Sequence, residues 1–519
     1  MNHTITAAPE RVPRAPRLDE APRVNHRAVT AVVCVALAAV VGAMSSLNVA
    51  LPAIARSTHA DESQMTWIID AYSLCFAALL LPAGALGDRF GRRLTLLVGL
   101  VIFGTGSVIA MTVDGATELI ALRACLGVGA ALVMPATLST ITGTFSADQR
   151  TKAVSIWAGV AGASAVLGVL ASGTLLEFWS WRSVFAFNVV LAAVAILGTL
   201  RFVPESADPE APRLDVRGAV SAGLGLTVLV YSIIEAPTHG WTSVRTLLGL
   251  AAAVVVLVGF VLLERRTPDP MLDPRIFGRR RLSAGSLTIF VQFFAFFGFM
   301  FAFLQYLQLV RGDSALVSAV SILPMAAALM PTARLTPRLA AAFGARRVCT
   351  AGLLLLAAGF FIVAQVDASS SYWWLLAGLL PIGAGMGAAM TPATTAITES
   401  LPDSQQGVGS AMNDLSRELG GALGIAVVGS VVSSVCRGSF ELPVGAGSAD
   451  VVAKAKESFA MAAHAGGPIG EAGRTAFVDG MHAGLVACSL AAVAAAALVA
   501  WLMPAGSRGV GHGPAGSGE

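Results

Sequence analysis

Charge is what this sequence has least of. Lys, Arg, Asp and Glu make up 13% of its 519 residues, against about 25% in soluble domains. Hydrophobic residues make up 55% and the mean hydropathy is +0.75, which excludes an ordinary water-soluble globular protein. Basic and acidic residues nearly cancel to a net charge of +3. No basic stretch is interleaved with aromatics, so nucleic acid is not an expected partner. Cysteine is sparse too: of six, Cys34, Cys75, Cys125 and Cys349 sit inside apolar runs far apart in the chain. They read as small buried hydrophobes, and neither a disulfide framework nor a metal site is indicated. Paired Asp-rich motifs and His clusters, which a membrane enzyme would gather at one face, are missing, as is a phosphate-cradling loop for ATP. No enzyme and no cofactor are expected.

Long apolar runs are what the chain does have. Residues 1–27 are polar and rich in Pro and Arg, and read as a disordered cytosolic tail. The run that follows has full spanning length, which argues against a cleaved signal peptide. Fourteen such runs recur. A first six cover 28–50, 66–86, 94–113, 119–140, 153–176 and 184–202. Two more cover 218–236 and 246–263, and a second six cover 283–309, 315–335, 348–366, 373–393, 407–432 and 481–502. The expected organisation is an N-terminal six-helix bundle over 28–202, two extra helices with cytosolic linkers over 203–282, and a C-terminal six-helix bundle over 283–503. A long outer loop over 437–480 separates the last two helices, with Ser448 or Asp450 placed to cap a short amphipathic helix in it, and 504–519 forms a second cytosolic tail. Lys and Arg number 24 on the side of the N terminus and eight on the other. That bias puts both termini in the cytoplasm of a multi-pass plasma-membrane protein.

The two groups of six echo each other. "GALGDRFGRRLTLL" closes the second helix of the first group, and "RLAAAFGARRVCTAGLLLL" holds the same place in the second, where Phe-Gly and the arginines persist but Gly-Asp-Arg does not. Repeated halves around a central site are a common transporter design. In Gly87-Asp88-Arg89-Phe90-Gly91-Arg92-Arg93 the two glycines permit a tight turn. Asp88 is suited to cap a helix N terminus, and the arginines hold the loop in the cytoplasm. This stretch resembles the signature loop of the major facilitator superfamily, which in the family gates the movement of the halves. "LNVALPAIA", "LIALRACLGVGAALVMPATLS", "WSWRSVFAFNVV" and "DPMLDPRIFGRRRLSAGSL" extend the resemblance to the 14-helix drug:proton antiporters, in particular to the antiseptic and quaternary-ammonium exporters. The resemblance implies an all-α integral membrane fold of 14 helices (six, two and six), with pseudo-symmetric halves around a central cavity. It further implies export of lipophilic, mostly cationic small molecules in exchange for protons, by a protein that meets only its substrates and membrane lipids and works as a monomer. Three positions depart from the family pattern: Ala43 replaces an acidic residue in helix 1, Val169 a proline in helix 5, and Leu329 an acidic residue that some exporters carry.

Few acidic residues remain inside spans, and each is a candidate site. Asp70, in "WIIDAYSL", matches an acidic position of the antiseptic exporters; with Ser73, Leu74, Ala77 and Leu81 it forms a small-to-apolar stripe suited to a cavity wall. A structural ion pair with Arg123 is the alternative. Asp414, Arg417 and Glu418 share a face of the thirteenth span and are candidates for proton or substrate binding and coupling, or else simply neutralise one another. Arg123 matches a helix-4 arginine tied to proton transfer in the family; a packing tether is the alternative. The ninth span, "FVQFFAFFGFMFAFLQYLQL", with Met300, offers an adaptable cation-attracting surface, or else packs against lipid. Asn48, Tyr72, Gln292, Gln305, Tyr306 and Asn413 are the polar positions that would line a cavity. Two other functions compete with multidrug export: dedicated export of one endogenous metabolite or antibiotic, and a transport-dead sensor or scaffold on the same fold.

Overall fold

Inside hydrocarbon a backbone N–H or C=O finds no water, so each spanning run must close its own hydrogen bonds, which a helix does within one segment. The computed structural model describes residues 25–207, 215–268, 270–401, 406–440, 462 and 467–504, with the backbone alone at 147, 148, 150, 151, 155, 158, 162 and 406–410. Among these residues there is no strand, and 14 segments are long and apolar enough to cross a membrane. The first group is α1 (His26–Thr58), α2 (Glu62–Phe90), α3 (Arg92–Ala110), α4 (Ala116–Thr144), α5 (Ala147–Phe178) and α6 (Arg182–Phe202). The extra pair is α7 (Val216–His239) and α8 (Val244–Glu264). The second group is α9 (Arg280–Gln305), α10 (Ala315–Ser321) with α11 (Leu323–Phe343), α12 (Ala345–Val363), α13 (Tyr372–Thr398), α14 (Gln406–Ser439) and α15 (Gly467–Leu502). Most of the outer loop, with Ser448 and Asp450, lies outside the described residues, as do 1–24 and 505–519.

Two spans differ from the sequence reading. The tenth is two helices, because Pro324 lacks a backbone N–H and is tolerated only in a helix's first turn, so the chain breaks at Ile322 and restarts. The last begins at Gly467 rather than 481, since its added turns bury Ala476 and Phe477. Side chains set several starts. Asp61 and Gln64 form a reciprocal capping box on α2 at 2.7 and 3.1 Å, and Asp215 accepts from the Gly218 N–H at 2.8 Å to cap α7.

The halves repeat one packing scheme. In the first, α1 packs on α5, α6 and α4, α4 on α2 and α3, and α3 on α6; in the second, α9 packs on α14, α15 and α13, α13 on α11 and α12, and α12 on α15. The halves meet along two seams that are exchanged by the same pseudo-symmetry, α2 against α14 and α5 against α10. Helix α7 lies along the first seam, touching both α2 and α14, with α8 behind it; among the described residues no helix covers the second in this way. An even number of crossings puts Asn25 and Pro504 on one face, the terminal face. The seams close toward the opposite face. There, Gly173 of α5 approaches Ala315 and Ala319 of α10, and Gln308 donates to the Val49 carbonyl at 2.9 Å. Toward the terminal face α5 has no comparable packing against α11.

Both halves turn on the same glycine joint. Gly91 links α2 to α3 at φ 111° and Gly344 links α11 to α12 at φ 87°, angles that cost a residue with a Cβ about 1–3 kcal/mol. The joints differ in what surrounds them: a Cβ on Gly91 would lie 2.5 Å from a Glu205 carboxylate oxygen, and one on Gly344 would meet nothing within 4 Å. Gly91→Ala should therefore lower the melting temperature in detergent more than Gly344→Ala does. Equal shifts in the two variants would refute the Glu205 contact.

Candidate functional site

An apolar cavity lies between the halves, walled by α1, α5, α9, α10 and α11. Val169, Phe297, Met300 and Leu323 supply apolar wall, Ser45 and Asn48 its polar atoms, and no charged residue lines it. Val169 stands where the family pattern has proline, so that departure falls on the cavity itself. Asn48 donates to the Met44 carbonyl at 3.3 Å, while its Oδ1 is buried without a partner, an acceptor available to a ligand's donor. Of the expected polar lining, only Asn48 reaches this wall. Others bond elsewhere: Tyr72 donates to the Val40 carbonyl of α1 at 2.9 Å, Gln292 to Met386 of α13 at 3.2 Å and Tyr306 to Asp367 after α12 at 2.7 Å, while Gln305 donates within its own helix to Phe301 at 3.0 Å. Asn413 Oδ1 accepts from Thr394 at 3.0 Å.

Asp70 lies elsewhere. The sequence stripe suggests a cavity wall, but the face of α2 that carries Asp70 turns to α7 and α14. One side of it is marked by Ser63, whose hydroxyl donates to Glu235 of α7 at 2.7 Å, and by Trp67, whose ring lies 6.2 Å from that of Tyr231. On the other side Leu74 packs with Val230 and Ile233 of α7 and Ala426 of α14. Asp70 is 0% exposed and neither carboxylate oxygen has a partner; the Ser73 hydroxyl is likewise unpartnered. The alternative ion pair with Arg123 does not form. Arg123 points instead at the backbone of α2, donating to the Ile68 carbonyl at 2.8 Å and to Ile69 at 3.5 Å, with its guanidinium 4.3 Å above the Tyr72 ring. Carbonyl dipoles and the ring face hold this cation, which is the geometry of a tether between α4 and α2.

On α14 the three charged residues do meet. Arg417 lies 3.0 Å from Glu418 and 3.6 Å from Asp414. It also reaches the Met134 sulfur of α4 at 3.5 Å, across the gap between the halves. Glu418 keeps one oxygen unpartnered and is close enough to Tyr72 for its charge to bear on the phenol. Asp414 and Arg417 retain side-chain exposures of 17% each, against 3% for Glu418, so the first two are partly open while the third is sealed.

The 87–93 loop is a joint clamped to the linker after α6. Asp88 does not cap a helix N terminus: it sits in the last turn of α2 and pairs with Arg92 at 3.0 Å. The cap on α3 is Glu205, which accepts from the Arg93 N–H at 3.2 Å, while Arg92 N–H donates to Ser206 at 2.9 Å and the Arg93 guanidinium to Leu200 at 2.8 Å. Gly87 lies against Thr95, and Arg89 against the Phe90 ring at 5.8 Å.

Residues 33–425 match the family model described as Major Facilitator Superfamily. The chain belongs to that superfamily. Its members are membrane transporters, and the 14 candidate spans of this chain suit that class. It is 35% identical over 341 residues to the multidrug resistance protein Stp of Mycobacterium tuberculosis, a match covering 66% of this chain and 63% of Stp. It is 34% identical over 353 residues to the tetracenomycin C resistance and export protein of Streptomyces glaucescens, covering 66% of each. The methyl viologen resistance protein SmvA of Salmonella typhimurium is 35% identical over 344 residues, covering 65% of this chain and 69% of SmvA. Among solved structures, a bacterial homologue of the human lysosomal transporter Spinster superposes with a TM-score of 0.64 at 18% identity, covering 92% of this chain and 96% of the other.

Sequence reasoning missed Glu205, whose role depends on a contact 112 residues away, and Glu62. The second had a signal: it lies eight residues before Asp70, and two helical steps of four return to the same face. The α14 cluster yields a prediction. Arg417→Gln leaves two carboxylates without a cation, which should cost about 3–5 kcal/mol as for other broken buried pairs. Adding Glu418→Gln should restore part of the lost thermal stability in detergent. If the double variant melts no higher than the single one, Glu418 is not a partner of Arg417.

Proposed function

We propose that this protein exports lipophilic small molecules across the plasma membrane in exchange for protons, by alternating access of its two halves, with both termini in the cytoplasm. Relatives named for resistance and export support the direction and kind of cargo. The observation that carries proton exchange is Asp70: a fully buried carboxylate in the seam between the halves, with no partner for either oxygen. An isolated charge in such surroundings is too costly to keep, and a proton is the smallest thing that removes it. Asp70 is not among the residues that line the apolar cavity, so cargo and proton occupy separate places, that cavity and the α2–α14 seam. The opening and closing of that seam then exposes Asp70 alternately, which is how one movement serves both ligands.

One observation favours the narrower reading, dedicated export of a single endogenous compound. A cavity without any charged lining residue suits an uncharged lipophile, and Asn48 Oδ1 supplies one specific acceptor. Efflux measured in whole cells across chemically dissimilar dyes, with and without an uncoupler, separates broad from narrow export.

Asp70→Asn should fold and insert yet lose uncoupler-sensitive efflux at least about tenfold, and Asp70→Glu should keep part of it, because a titratable group at that depth is the requirement. Wild-type efflux by the Asn variant at matched expression would overturn the proton role.

A further inference from the structure

Asp70 is not the only carboxylate buried in its seam. Glu62, in the first turn of α2, is 4% exposed and neither of its oxygens has a partner. It lies near the face opposite the termini, about 12 Å along the helix from Asp70 at 1.5 Å per residue. Between them Thr66, 2% exposed, carries a hydroxyl that donates to the Glu62 carbonyl at 3.0 Å and lies against Gly429 of α14. Beyond Asp70, Ser73 is 0% exposed with its hydroxyl unpartnered. Glu62, Thr66, Asp70 and Ser73 thus form one polar line on the face of α2 turned to α14, beneath α7.

The duplicated half shows that this line is no by-product of the fold. Setting Gly344 against Gly91 places Ala315, Ala319, Leu323 and Ala326 opposite Glu62, Thr66, Asp70 and Ser73. Every polar position has an apolar counterpart. The last three of those counterparts line the cargo cavity, so the repeated helix has one polar copy and one apolar copy.

The groups around Glu62 do not neutralise it. Asp61 stands beside it at the cap, and Arg437 of α14 is the cation whose field reaches it. Arg437 nevertheless makes no ion pair within 4 Å of Glu62; it donates to Thr238 of α7 at 3.3 Å and its Nε is buried without a partner. Cys436 lies on the same turn of α14, with Asp479 of α15 near it. On α7, Glu235 is taken by Ser63 and sits 3.8 Å from His239.

We propose that Glu62 is the receiving station of a proton path along α2, filling Asp70 from the face opposite the termini. The proposal rests on the proton-exchange reading above. The Glu62 carboxylate takes a proton from water at that face. The proton passes through water beside the Thr66 hydroxyl to the Asp70 carboxylate, so that Glu62 regains its charge as Asp70 loses its own. The proton on Asp70 leaves toward the terminal face when the seam reopens.

The test uses the full chain in proteoliposomes, with a lipophilic dye chosen because wild-type cells expel it in an uncoupler-sensitive way. Glu62→Gln should cut dye transport driven by an imposed pH gradient at least about tenfold while leaving gradient-free dye counterflow within about twofold, since proton delivery fails but the cargo cavity does not. Glu62→Asp should recover part of the driven rate, and Arg437→Gln should leave it in place. Wild-type driven transport by Glu62→Gln overturns the proposal. So does an equal loss of counterflow, or an Arg437→Gln variant that reproduces the defect, either of which makes Glu62 a structural partner. Absence of gradient-driven transport in the wild type overturns the exchange reading itself and this proposal with it.

Discussion

A charge inside the membrane has to be answered where it stands, and the way each one is answered sorts the parts of this molecule. Arg123 is answered by two backbone carbonyls and an aromatic face, none of which titrates, and so it holds helices together. Arg417 is answered by two carboxylates on its own helix, one of them sealed and one partly open. Asp70 is answered by no side chain at all. Of the three, only the last must find its counter-charge in something mobile. The apolar cavity has no charge to answer.

Much of this architecture is written plainly in the chain. Runs of apolar residues of spanning length, a lysine and arginine bias and a repeated glycine joint need only local rules, and those rules suffice for the helices and for the family. The joint is legible because a positive φ is a property of one residue, so Phe-Gly followed by arginines marks it in both halves. Orientation about a helix axis is a different kind of fact. The stripe around Asp70 is correct as geometry, yet whether it faces cargo or another helix depends on where α7 docks, and α7 lies more than 140 residues further on. Asp88 and Glu205 make the same point: either carboxylate is chemically able to cap α3, and the chain path after α6 decides in favour of the second. The break at Ile322 was within reach, since Pro324 announces it, but a hydropathy run passes over a single proline.

Duplication supplies two equivalent helices, α2 and the α10–α11 pair, and the surroundings have made them unlike. The first is roofed by α7 and carries Glu62, Thr66, Asp70 and Ser73; the second has no such roof among the described residues, faces α5 and the apolar cavity, and carries alanine and leucine at the same places. Polar side chains are tolerable where protein covers them and expensive where lipid does. The extra helices therefore do more than lengthen the chain: they create the sheltered strip on which buried carboxylates can be kept.

The same roof also unbalances the molecule in the plane of the membrane. Helix α7 grips both halves along one flank, so a rocking motion must drag it, whereas among the described residues no extra helix bridges α5 and α10. Resistance to parting is greater on one side than the other, and the pivot of any such motion shifts toward α7. What duplication built as a symmetric rocker is loaded on one flank: the α2–α14 seam parts only with α7 in tow, and the α5–α10 seam parts without such a load.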